Sequence, residues 1–164
     1  IVNPVIILGS GDWNGGSSGI FKSAYNRFPW YTNGASGFVD VKDVTSAMTA
    51  LMKSDISAQR FIISGHNTPY QIIFNLIADA FKVPRPHKRV TPLLASIVWR
   101  LEAVKALFTG SSPLLTKETT LTAQAVVNFD NTKLLKALPH FSYTPLENTI
   151  TRVVEELKEK YNLR

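Results

Sequence analysis

Apolar residues in this chain follow two rhythms. Residues 5–8 are an unbroken apolar run, Val-Ile-Ile-Leu, inside a stretch that predicts a strand over 2–8. Such a run, buried on both faces, belongs in the middle of a parallel sheet. Shorter β-favouring runs predict strands over 38–41, 60–64 and 126–129. Between them the apolar positions recur with helical spacing. Val44, Ala47, Met48, Leu51 and Met52 form one stripe, and Ile73, Leu76, Ile77, Ala80 and Phe81 another. Leu94, Ile97, Val98 and Leu101 begin a third that reaches Leu107 and Phe108, and Val153, Val154 and Leu157 form a fourth.

The punctuation supports these helices. Asp40 is expected as an N-cap, with Asp43 three residues later in the first turn. Thr68-Pro69, Thr91-Pro92 and Thr144-Pro145 each place a Thr at N-cap and a Pro at the first helical position. Gln71 and Glu147 would complete two capping boxes, and Gly110 would end the third helix. Further helices are expected over 116–125 and 131–138. Strand alternates with helix, so the class is α/β, in a single unit spanning 1–164.

Composition narrows the setting. A length of 164 residues allows one domain with a real core. No cysteine occurs, which excludes disulfides and thiolate metal sites and fits a cytoplasmic protein. The amino end has no basic leader, so no signal peptide is expected, and no apolar run approaches membrane-spanning length. The net charge of +6 is scattered, with one cluster at Arg85, His87, Lys88 and Arg89. Aromatics do not interleave with these cations, so neither nucleic acid nor membrane is an expected partner. The first residue is Ile1 and the first strand looks central, so the chain is expected to be a piece of something longer.

The candidate chemistry centres on the glycines after residue 8. Gly9 and Gly11 match the start of a G-x-G-x-x-G dinucleotide fingerprint, but Asn14 stands in the third place and Gly15 comes one residue late. Asp40 ends the next strand, roughly where a ribose-binding acid would stand. Gly15, Gly16, Ser17, Ser18 and Gly19 spell a G-x-S-x-G nucleophile elbow, with Asp40 or Asp43 and then His66, His87 or His140 as triad partners. The elbow needs a strand that ends at its serine, whereas residues 9–14 intervene here. The three histidines lack metal-ligand spacing, no phosphate-loop lysine motif occurs, and no Tyr is followed four residues later by Lys. Glu155, Glu156 and Glu159 alternate with Lys158 and Lys160 on the last helix, which reads as a solvated face.

Three stretches together resemble the carboxyl-terminal half of an extended short-chain dehydrogenase/reductase of the NAD-dependent epimerase/dehydratase family. NPVIILGSGDW resembles the family's Arg-Pro-x-x-Val-Tyr-Gly-Pro-Gly segment, SGFVDVKDVTSAM its Phe-x-x-Val-x-Asp-Val-Ala segment, and FDNTKLLKALPHFSYTPLENTI its Asp-x-x-Lys-x-x-x-x-Leu-Gly stretch. Their order and intervals agree over nearly the whole chain. Asn3 in the first segment is similar to the dihydroflavonol-reductase and 3β-hydroxysteroid-dehydrogenase subgroup.

The resemblance implies the carboxyl-terminal part of a Rossmann-like parallel sheet with a small α/β substrate-binding region. It implies NAD or NADP in the intact protein, met by Asn3, Pro4, Val5 and Ile6 and approached by Ser17 and Ser18. It implies a substrate wall from Gly9, Trp13, Phe21, Trp30 and Tyr31, with Phe28 nearby, for a small, ring-containing molecule with a hydroxyl or carbonyl group. The family's phosphate fingerprint and its Tyr-x-x-x-Lys lie upstream of the matched segment, so no catalytic residue is expected here. The expected partners are a small-molecule substrate and the missing amino-terminal Rossmann half, with a homodimer as a further option. Two other readings stay open: a stand-alone α/β ligand-binding or interaction module, and a serine hydrolase using Ser17.

Overall fold

The computed structural model describes residues 1–91 and 122–163. The expected strand over 2–8 is two strands, β1 (Val2–Pro4) and β2 (Ile6–Leu8). The chain changes partner at Val5. The next strands are β3 (Trp30–Tyr31), β4 (Ala35–Asp40), β5 (Phe61–Ile63), β6 (His66–Pro69) and β7 (Lys88–Arg89). β1 runs parallel to β5, with Val2 opposite Phe61, and the Val5 amide still donates to the Ile63 carbonyl at 3.1 Å. From Ile6 onward the chain runs parallel to β4 instead, with Leu8 opposite Asp40. Pro4 lacks an N–H and stands where the first ladder stops. β6 closes the other side of β4 antiparallel, and β3 pairs with β7. Parallel strands joined through helices confirm the α/β class.

The expected strand over 126–129 is a single parallel bridge between Ala35 and Val126. Both flanks of β4 are already occupied, by β2 at residues 38–40 and by β6 at residues 35–38. The place beside Ala35 is what remains. Further along, the Asn67 side chain acts as a substitute strand. Its amide donates to the Phe129 carbonyl and its oxygen accepts the Phe129 N–H, each at 3.0 Å.

The helices are α1 (Ser18–Tyr25), α2 (Val41–Met52), α3 (Tyr70–Phe81), α4 (Thr132–Ala137) and α5 (Leu146–Tyr161). Asp40 caps α2 as expected, accepting the Lys42 N–H at 2.8 Å. The Thr-Pro starts come one residue later than expected. Pro69 and Pro145 themselves stand at the caps, and neither capping box forms. Thr144 is otherwise engaged, because its N–H and hydroxyl both donate to the Asp43 carboxylate, at 2.8 and 2.7 Å. That contact buries Asp43 and uses part of the α2 inner face. Val44 and Ala47 are accordingly buried while Met48 and Met52 are exposed. The helices expected from Thr91-Pro92 to Gly110 and over 116–125 fall outside the described residues, except for the end of the second.

The central sheet is covered on both faces, as its alternating side chains require. Phe38 packs with Leu8, Phe21, Ile73, Ile77 and Leu157, against α1, α3 and α5. Its neighbour Val39 packs with Val44, Ala47, Ile63 and Leu134, against α2 and α4. One ion pair locks the first layer to the sheet. Arg152 on α5 donates from Nη2 to both Asp40 oxygens, at 2.7 and 2.8 Å, and the Asp40 side chain is 1% exposed. Burial would raise the Asp40 carboxyl, but Arg152, the Lys42 amide and the Thr149 hydroxyl outweigh it and hold it below its ordinary value.

A depressed carboxyl contributes stability above its unfolded value, about 3.9, that is lost as the pH falls through its folded one. Asp40→Ala removes both a cap and one side of a buried pair, so it is expected to cost about 3 kcal/mol at neutral pH. The gap from the parent should narrow on acidification below about pH 4. Urea melts across pH measure both effects. A cost of about 1 kcal/mol, constant with pH, would mean that Asp40 is a cap and nothing more.

Candidate functional site

Two clefts that border the run from β1 to β2 hold expected site residues. One, of about 400 Å³, is lined by Asn3, Pro4, Val5 and Ile6 together with Ser36, Ile62 and Phe129. The other, of about 560 Å³, lies between Ile7, residues 9–12, residues 15–18 and Val41. The structure therefore brings together four of the residues expected to meet a cofactor, Asn3 to Ile6, and places Ser17 and Ser18 with Gly9 at the neighbouring cleft. Ser36, Ile62 and Phe129 were missed, because they reach the first cleft only through strand pairing and the Asn67–Phe129 contact.

The glycine loop is built for close approach. A Cβ at Gly9 would meet Val41 at 3.1 Å, and Gly16 has φ +57°, a conformation that favours glycine. The loop leads into α1, which the serines and glycines concealed in the sequence. The Ser17 hydroxyl donates to the Ile7 carbonyl, and the Ser18 hydroxyl to the Gly9 carbonyl at 3.3 Å. Both serines thus tie the start of α1 to the end of β2.

From there β2, α1 and β4 form a parallel βαβ unit, the context a dinucleotide fingerprint requires. Two features oppose that reading. The glycine spacing is wrong, and the carboxylate at the end of β4 is occupied by Arg152 and the Lys42 amide.

The aromatic residues expected as a substrate wall are not gathered at either cleft among the described residues. Phe21 is fully buried in the core. Trp13 packs its ring 5.8 Å from Tyr25 and 5.7 Å from Tyr161, between α1 and α5. Trp30 and Tyr31 form β3, with the Lys88 ammonium 5.5 Å over the Trp30 ring. Phe28 is half exposed.

The last helix is not only a solvated face. Glu156 accepts the Ser10 hydroxyl at 2.7 Å and Arg152 Nη1 at 2.6 Å. Ser10 and Arg152 hold the Glu156 carboxyl below its ordinary value against a burial that would raise it. Lys160 reaches the Ser10 and Gly11 carbonyls, each at 3.2 Å. The sequence signal was present as the spacing of Arg152, Glu156 and Lys160, a row along one helix face. Its partners were more than a hundred residues away.

The triad elements do not meet through hydrogen bonds. Ser17 is bonded to a backbone carbonyl, His66 Nε2 lies 2.8 Å from the Thr144 carbonyl, and Asp40 and Asp43 are bonded to Arg152 and Thr144. Among the described residues no cluster of metal-ligating side chains occurs, and no helix is long and apolar enough to cross a membrane. A fluorophosphonate probe is therefore expected to leave the chain unlabelled. Labelling that disappears in Ser17→Ala would show that Ser17 is a nucleophile after all.

No protein-family model matches the chain. A curated relative, sterol demethylase protein B of Methylococcus capsulatus, is 28% identical over 96 residues, which are 57% of this chain and 29% of that protein. A solved nucleoside-diphosphate-sugar epimerase from Pseudomonas aeruginosa superposes with a TM-score of 0.73 and 18% identity, covering 100% of this chain and 49% of that one. The enzyme WbmG of Bordetella bronchiseptica, solved in complex with NAD and UDP, superposes with a TM-score of 0.64 and 14% identity, covering 98% of this chain and 43% of that one. The chain thus spans about half the length of the solved structures it matches, or less. Over that length it has the mixed α/β, Rossmann-like fold of these enzymes.

Proposed function

We propose that this chain is the substrate-binding half of an NAD(P)-dependent oxidoreductase or epimerase. The observation that carries this reading is the match of nearly the whole chain to under half of an enzyme that was solved with NAD and UDP. The cleft at Asn3 to Ile6 suits a nicotinamide. Val5, Ile6, Ile62 and Phe129 offer apolar surface for a flat ring, and the Asn3 amide and Ser36 hydroxyl offer partners for a carboxamide. When bound, the nicotinamide supplies hydride transfer. The residues of this chain bind and orient it. Ser17 and Ser18 hold the loop beside Gly9 at the neighbouring cleft.

The substrate is a small molecule with a hydroxyl or carbonyl group, ring-containing on this reading. The relatives, a nucleoside-diphosphate-sugar epimerase and a sterol demethylase protein, support a ring. The start Asn3-Pro4 supports the dihydroflavonol-reductase-like subgroup. The phosphate loop and the Tyr–Lys pair come from an amino-terminal Rossmann half outside this chain. That Tyr would be the general acid, and the Lys would lower its pKa. A cytoplasmic enzyme fits the lack of cysteine.

Isothermal titration tests the assignment. The chain as it stands is expected to bind NAD and NADP only weakly and to show no reductase activity, since the phosphate loop and the Tyr–Lys pair are elsewhere. Micromolar affinity for either dinucleotide would contradict the half-enzyme reading. It would instead assign phosphate binding to the βαβ unit at residues 9–16.

A further inference from the structure

The loop at residues 9–16 is fixed from one side by a single helix. Three residues of α5 reach it. Glu156 accepts the Ser10 hydroxyl, Lys160 donates to the Ser10 and Gly11 carbonyls, and the Tyr161 hydroxyl donates to the Gly11 carbonyl at 3.1 Å. The same Tyr161 oxygen accepts the Trp13 N–H at 3.1 Å, while the two rings pack together. On the opposite side the loop meets Val41 at the start of α2. The contacts continue inward, from Ser10 to Glu156, from Glu156 to Arg152, and from Arg152 to Asp40 at the end of β4. Arg152, Glu156 and Lys160 are spaced four apart, so one row of α5 spans the distance from core to loop.

We propose that α5 is a strap on the cleft, and that the position of the glycine loop is coupled through Glu156 and Arg152 to the buried Asp40 carboxylate. The role of the cleft rests on the function proposed above; the coupling rests on geometry alone. Glu156 is the middle of this series, with the exposed Lys42 ammonium 4.0 Å away as a further partner. The Ser10 end cannot move without releasing Glu156, and Glu156 orients the guanidinium that neutralises Asp40. Trp13, held between Tyr25 and Tyr161, makes the loop move with the helix tip. A ligand that displaces the loop must therefore work against the ion pair. The last two turns of α5 act as a positioning element for a cleft they do not line.

Amide hydrogen exchange on the whole chain tests the strap without any ligand. Ser10→Ala and Tyr161→Phe each delete one hydroxyl and leave the packing in place. Together they are expected to speed exchange at residues 10–16 by about tenfold, with the amides of α3 unchanged. Arg152→Lys, which keeps the charge and loses the second nitrogen that joins Asp40 to Glu156, should speed the same loop amides. Its effect should largely vanish in the Ser10→Ala background, because the connection is already cut. Loop exchange within about twofold of the parent in the double variant would overturn the strap. Effects of Ser10→Ala and Arg152→Lys that simply multiply would overturn the coupling. Failure of the dinucleotide titration bears on the proposed function and leaves this result standing, so the two can fail separately.

Discussion

At the end of β4 a buried carboxylate meets a guanidinium that arrives from the last helix of the chain. Asp40 does three things there. It ends the strand, caps α2 through the Lys42 amide and binds both its oxygens to Arg152. Two charges out of water cost more than they return unless every remaining lone pair and proton is satisfied. The site offsets that cost by giving the arginine's other terminal nitrogen to Glu156 and bringing Thr149 to the carboxylate. Arginine suits the place because one terminal nitrogen reaches both Asp40 oxygens while the other reaches Glu156, and the guanidinium keeps its charge when partly buried. The registry of α5 on the sheet, and the shape of the loop beyond β2, follow from this contact.

The interaction also explains which parts of the fold were legible in the sequence. Local signals were. The Asp40 cap, the stripes of α3 and α5 and the strand at 61–63 depend on residues within a few positions of one another, and each stands close to where its pattern put it. Signals that need a distant partner were not. Within the strand over 2–8 the only local mark of the change of neighbour at Val5 is Pro4, and nothing in the sequence names the two partner strands. Thr144 has the sequence of a helix cap and the contacts of a tether, since Asp43 lies a hundred residues away in the chain. α1 was hidden by serine and glycine at its start, although Ser18, Phe21 and Ala24 bury one face.

The candidate site divides the same way. Asn3 to Ile6 are consecutive, and one cleft gathers them. The aromatic wall was not found where expected. Large aromatic residues near a loop are as useful for anchoring as for binding, and Trp13 and Phe21 are used as anchors here. Glu156 and Lys160 looked like solvated charges because nothing in their own helix distinguishes a charge that meets water from one that meets a loop.

The fold covers about half of larger enzymes, and two of its clefts flank the run from β1 to β2. The proposed half-enzyme reading is tested most directly by a crystal structure of a longer polypeptide that carries this chain, with a nicotinamide dinucleotide added. The account predicts the nicotinamide carboxamide against Asn3, Pro4, Val5 and Ile6, with the pyrophosphate held by residues outside this chain. A pyrophosphate seated on the glycines between β2 and α1, or a cofactor that leaves Asn3 to Ile6 untouched, would contradict it.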